Sequence, residues 1–163
     1  MTRPAAAIGS ILFFFLAPGT VAGLIPWWIS GWDTRGSHPA LIAVGATWIV
    51  VGLTALIRCF ARFATDGQGT PAPVAPTKTL VITGLYRRVR NPMYVAVTAI
   101  ILGQALVFAS PTLAAYGAVI WLAFHIFIVM YEEPTLRVTY GDQYAAYCAA
   151  APRWIPRLRP WSP

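Results

Sequence analysis

Gly84-Leu85-Tyr86-Arg87-Arg88-Val89-Arg90-Asn91-Pro92-Met93-Tyr94 decides how the rest of the chain is read. Three arginines crowd the last polar turn before a long apolar stretch, and Asn91-Pro92 is a helix start. Asn is a good N-cap, and a proline in the first turn gives up an N–H that has no intrahelical partner anyway. From Pro92 the chain stays apolar to Ala109, turns at Ser110-Pro111, and stays apolar again to Tyr131, after which comes Glu132-Glu133. A helical hairpin therefore returns a carboxylate pair to the surface that carries the arginines. The product is a polar site at the edge of lipid, which points to chemistry.

Composition sets the class. Of the 163 residues 58% are hydrophobic and only 10% charged, with a mean hydropathy of +0.63. A water-soluble domain carries about 25% charged residues, so this is an integral membrane protein. At roughly 20 apolar residues per crossing, spans are expected at 5–29, 39–60, 92–109 and 112–131. The expected fold is all-α: four transmembrane helices, the last two a tight hairpin, followed by a cytosolic C-terminal amphipathic segment. As one membrane domain it divides into the first two spans (1–60), a cytosolic linker and cover (61–91), the hairpin (92–131) and a cytosolic tail (132–163). The apolar run behind Arg3 resembles a signal peptide with a poor cleavage site at Val21-Ala22-Gly23, and is read as a retained first span.

Cations near span ends stay on the cytoplasmic side. With the N-terminus inside, Arg3, Arg58, Arg62, Lys78, Arg87, Arg88, Arg90, Arg137, Arg153, Arg157 and Arg159 are all cytoplasmic, and of the 12 cations Arg35 alone is outside. Both termini are thus expected in the cytoplasm, in a cell inner or plasma membrane. The net charge of +7 belongs mostly to one face, where it suits anionic lipid head groups. Nucleic acid is not an expected partner, because the cations flank spans and form no separate soluble domain. Cys59 and Cys148 lack Cys-x-x-Cys spacing, and neither a disulfide nor a metal site is expected.

Glu132-Glu133 ends a span on an otherwise cationic face, where a helix C-terminus disfavours negative side chains. Such a pair is reasonable if it meets arginine or a cationic ligand. At about 100° per residue, Glu132 shares a face with His125 and Trp121 while Glu133 points elsewhere. Intramembrane polar groups such as His125 and Gln104 are read either as functional residues or as interhelical hydrogen-bonding groups. The prolines and glycines of 65–77 exclude a regular helix there, leaving either a solvated loop or an ordered cover. In the tail, Tyr140, Tyr144 and Tyr147 share a helical face suited to packing against the spans.

Taken together, Gly69-Thr70-Pro71-Ala72-Pro73, Leu80-Val81-x-x-Gly84-x-Tyr86, Arg90-Asn91-Pro92-Met93-Tyr94, Glu132-Glu133, Tyr140-Gly141-x-x-Tyr144-x-x-Tyr147 and Pro152-Arg153 resemble the membrane-embedded methyltransferases. That family includes isoprenylcysteine carboxyl methyltransferase and the phospholipid N-methyltransferases. The resemblance implies S-adenosylmethionine as cofactor, lined by Lys78, Thr79, Leu80, Val81, Tyr86, Asn91, Pro92, Met93, Tyr94 and Glu132, with Arg90, Tyr94 and Arg153 as positioning candidates. It also implies a lipophilic acceptor reached from the bilayer, for which His125, Ile128 and Gln104 are candidate contacts. Where the carboxyl methyltransferase has a substrate-side arginine, this chain has Ile128, and it has Asn91 in place of a histidine. The acceptor therefore stays open among lipophilic amines, thiols, hydroxyls and carboxylates. The competing expectations are an NADPH-dependent membrane reductase of the sterol-reductase type and a non-catalytic membrane adaptor.

Overall fold

The computed structural model describes residues 3–62, 65 and 80–161. It is helical, with no strand among the described residues. In chain order the helices are α1 (Arg3–Leu16), α2 (Ile25–Ser30), α3 (Pro39–Arg62), α4 (Pro92–Val107), α5 (Pro111–Phe127) and α6 (Glu133–Ala150). A π-helical turn, Thr20–Leu24, joins α1's end to α2, and a second, Ile128–Glu132, runs α5 directly into α6.

Three helical stretches are long and apolar enough to cross a membrane: Ile11–Ser30, Pro39–Arg62 and Pro111–Ala150. The expected third span is different. α4 has 16 residues, about 24 Å at 1.5 Å per residue, against a hydrocarbon core of about 30 Å. It is the centre of the bundle, with Ala96, Val97, Ile100, Ile101, Gly103 and Ala105 all buried. Core residues and lipid-facing residues are equally apolar, so its sequence reads as a full span although much of its surface faces protein.

α3 and α4 run antiparallel at backbone contact, Gly45 against Gly103 and Gly52 against Ala96. A Cβ added to Gly103 would lie 2.8 Å from the Gly45 carbonyl oxygen, so this crossing requires glycine. Small residues at a helix interface are how dispersion holds membrane helices together where water cannot drive them. At the tight turn Ala109 takes φ 44, and the Ser110 hydroxyl accepts from the Leu113 N–H at 3.3 Å, capping α5.

The first π-helical turn is tied down from both neighbours. Gln104 Nε2 donates to the Ala22 carbonyl at 2.7 Å, and the Tyr116 hydroxyl donates to the Val21 carbonyl at 2.9 Å. Phe13 and Phe14 then pack on Phe60, with ring centroids 6.2 and 5.1 Å apart. These bonds hold α1 beside the α3–α4 pair. At the other end of the bundle, in the loop before α3, exposed Asp33 is held below the usual carboxylate range by its hydrogen bonds from Arg35.

Candidate functional site

The polar site is assembled by the segment 84–91 and the C-terminal tail. Gly84 adopts φ +57, a left-handed conformation that favours glycine, and opens a 3₁₀ turn, Gly84–Arg87. After Ala150 the tail leaves α6 in an extended conformation and runs back along this segment. Arg90 N–H donates to the Pro152 carbonyl at 2.9 Å, Arg157 N–H to the Arg88 carbonyl at 2.9 Å, and Trp161 N–H to the Arg87 carbonyl at 2.8 Å. Residues 152–161 thus form a strap whose main chain satisfies the main chain of the arginine turn. Trp161 also packs on Tyr147, at 5.9 Å between ring centroids.

Asn91 occupies the N-cap position of α4 but makes no side-chain cap. Its amide instead donates to the Arg153 carbonyl at 3.1 Å, because the strap competes successfully for it. Tyr86 is buried, and burial pushes its phenol well above the ordinary range, so it stays neutral. Its carbonyl accepts from the Tyr147 hydroxyl at 2.7 Å.

Above this platform lies a cavity of about 280 Å³, just under the usual range for small-molecule sites. Its polar lining is Tyr86, Arg90, Asn91, Tyr94 and Glu132. Phe13, Ala17, Pro18 and Val21 close one side, and Leu56, Met93, Val97, Phe124 and Phe127 the others. Glu132 accepts a hydrogen bond from the Tyr94 hydroxyl at 2.9 Å, and Tyr94 is backed by Phe124 at 4.7 Å between ring centroids. The π-helical turn explains how Glu132 reaches the cavity. Residues five apart align in such a turn, which puts Glu132 on the side of Phe127.

Glu133 points away from the cavity and is 6% exposed. Arg153 grips it with two hydrogen bonds, Nε to Oε1 at 2.8 Å and Nη2 to Oε2 at 3.0 Å. Arg90 Nη1 approaches the same Oε1 at 3.3 Å and donates to Cys148 Sγ at 2.8 Å. The Nε of Arg90 is buried and has no hydrogen-bond partner among the described residues.

Of the expected cofactor residues, Tyr86, Asn91, Met93, Tyr94 and Glu132 come together around this cavity, as does Arg90. Pro92 is buried behind the lining at the start of α4. Leu80 and Val81 pack with Cys59, Tyr86, Tyr144 and Tyr147 beneath the platform and do not line the cavity. Lys78 and Thr79, with the linker before them, lie outside the described residues. The three residues singled out for an acceptor are elsewhere. Gln104 is spent on the Ala22 carbonyl, and Ile128 is buried at 1% exposure. His125 stacks on Trp121 at 5.6 Å and accepts from Trp154 Nε1 at 3.2 Å. His125 and Glu132 separate because the π-helical turn between them breaks the α-helical register that would put them on one face.

The apolar wall formed by Phe13 of α1, the residues that follow α1, and α5 has no sequence signal. Phe13, Ala17, Pro18, Val21, Phe124 and Phe127 carry no motif, and an apolar residue facing a cavity has the same composition as one facing lipid.

A search of curated proteins found no match. The family model of the phospholipid methyltransferases matches residues 39–143, which include α3, α4, α5, Glu132 and the start of α6. With more than half of its length covered, and with the membrane-crossing helices and buried carboxylate described above, the chain belongs to the phospholipid methyltransferase family, a family of membrane methyltransferases.

Proposed function

We propose that this protein transfers a methyl group from S-adenosylmethionine to a lipophilic acceptor drawn from the bilayer, on a site plan like that of isoprenylcysteine carboxyl methyltransferase. The observation that carries the reading is Glu132, a carboxylate that lines an aromatic-walled cavity together with the guanidinium-bearing Arg90. An anion and a cation facing one apolar chamber fit a ligand that ends in an ammonium and a carboxylate. Bound there, S-adenosylmethionine supplies an electrophilic methyl on a sulfonium.

The chain's own residues do the rest. Glu132 attracts positive charge, and the Tyr94 hydroxyl fixes its carboxylate by a charge-assisted bond. Arg90 and Asn91 sit where a ligand carboxylate would be held. Tyr86, Tyr94 and Phe124 offer a wall for a purine. Leu80 and Val81 support Tyr86 from below, and Lys78 and Thr79 are assigned to the site by family resemblance alone. Phe13, Ala17, Pro18 and Val21 offer an apolar wall to an acceptor, and Phe127, which also lines the cavity, is 36% exposed. Excluding water and aligning two reactants is the main contribution required, since well-oriented reactions gain about 7–11 kcal/mol from alignment.

The topology proposed is that of an inner or plasma membrane protein with four membrane-inserted helices, α4 the third of them in chain order, and both termini cytoplasmic. The strap supports it by holding Pro152, Arg157 and Trp161 to the arginine turn at 87–90. The reductase alternative is disfavoured: a 2′-phosphate calls for an arginine cluster, and Arg90 is the one arginine lining the cavity among the described residues.

A carboxylate acceptor would need its own counter-charge in this desolvated chamber. Ile128 offers none, Arg153 is committed to Glu133, and Arg90 is assigned to the donor. A neutral or amine-bearing lipophile is therefore the expected acceptor. The test is methyl transfer from labelled S-adenosylmethionine, in nanodiscs, to an aminolipid and to a prenylcysteine acid at matched membrane concentration. The aminolipid should be the better substrate; efficient turnover of the acid would overturn the acceptor assignment.

A further inference from the structure

We infer that Arg153, on the strap beyond the stretch 39–143 that the family model matches, is a positioning residue that keeps Arg90 available to the cavity by outcompeting it for Glu133. The inference rests on the reading of the cavity as a site for S-adenosylmethionine, and it concerns the amino-acid end of that ligand. Two guanidiniums share one buried carboxylate. Arg153 takes both oxygens in fork geometry, and Arg90 is left with a single contact at 3.3 Å. Bidentate pairing is the stronger arrangement, so the division is unequal by construction.

The consequence lies in what Arg90 keeps. Its side chain is 12% exposed, it lines the cavity, and its buried Nε lacks a partner among the described residues. A buried N–H is costly to leave unsatisfied, so this guanidinium keeps hydrogen-bonding capacity that Glu133 does not use. With two cations on Glu133 the cluster keeps an excess positive charge, one residue from the opposite charge of Glu132. The pair of subsites matches a free α-amino-acid group, ammonium toward Glu132 and carboxylate toward Arg90. Without Arg153, both oxygens of Glu133 would be open to Arg90, which would turn its fork toward Glu133 and withdraw from the cavity.

The experiment uses the full chain in nanodiscs and calorimetric titration with two probes. S-adenosylhomocysteine carries the amino-acid end; 5′-methylthioadenosine has the same nucleoside and thioether without it. The unaltered protein should bind the first at least about tenfold more tightly. Arg153→Met should weaken S-adenosylhomocysteine about tenfold, or about 1.4 kcal/mol, and leave methylthioadenosine unchanged. The double variant Glu133→Gln with Arg153→Met removes the carboxylate onto which Arg90 collapses, and should restore the preference. If Arg153→Met does not fold, Arg153→Lys, which keeps the charge but cannot fork, carries the same comparison. Equal weakening of both probes, no weakening of either, or a double variant no better than Arg153→Met would overturn the inference while leaving the donor reading intact. Failure of the unaltered protein to bind S-adenosylhomocysteine would instead remove the donor reading itself.

Discussion

Glu133→Gln is expected to lower folding stability by about 3 kcal/mol, the lower end of what breaking a buried ion pair costs, because Arg153 remains partly exposed. The side chain of Glu133 is 8% exposed and carries the bidentate grip of Arg153 together with the contact from Arg90. Glutamine conserves shape and one acceptor but leaves two guanidiniums facing each other without an anion. The strap also loses its side-chain anchor, so loosening should be greatest at residues 152–161. Thermal unfolding in nanodiscs checks this: a Tm within a degree of the unaltered protein would show that the pair contributes nothing net.

Glu132→Gln should have the opposite profile. Glu132 lines the cavity and accepts from Tyr94, a bond that the glutamine carbonyl can also accept. Stability should be unchanged or slightly raised, since an ionised carboxylate is removed from a desolvated place. Affinity for S-adenosylhomocysteine should fall by about 1.5–3 kcal/mol, roughly 10- to 150-fold, as a charge-assisted interaction is lost. Calorimetric titration gives the number. Binding equal to that of the unaltered protein would mean that Glu132 does not face the ligand.

Much of this division between the two glutamates was legible in the chain. A carboxylate pair ending a span on a cationic face needs either an arginine or a ligand, and the structure provides an arginine for Glu133 and a cavity for Glu132. The helix start at Pro92 and the turn at Ser110 were readable for the same reason: caps and prolines act locally; the tyrosines of α6 pack in one cluster, but Gly141, at φ 50 and ψ −125, breaks the helix between Tyr140 and Tyr144. The π-helical turn Ile128–Glu132 left no such mark. Its extra residue per turn is set by packing, and it separates Glu132 from His125, which an α-helical count puts on one face.

The strap was equally hidden. Asn91 looks like a cap because its sequence neighbours are Arg90 and Pro92, but its amide bonds to a carbonyl 62 residues away. Its chain partners are main-chain groups, which carry no sequence signature. α4 shows the same limit in another form. Gly103 and Gly45 mark the place where two backbones touch, yet hydropathy cannot tell a helix surrounded by helices from one surrounded by lipid.

Reconstituted in nanodiscs, the unaltered protein can be titrated in parallel with S-adenosylhomocysteine and with NADPH while its thermal unfolding is followed. Saturable stabilisation by S-adenosylhomocysteine is expected, about 2.7 kcal/mol at 100 times its dissociation constant, with no response to NADPH. Stabilisation by NADPH instead, or no saturable response to S-adenosylhomocysteine at any concentration, would contradict methyl transfer from S-adenosylmethionine at the Glu132 cavity.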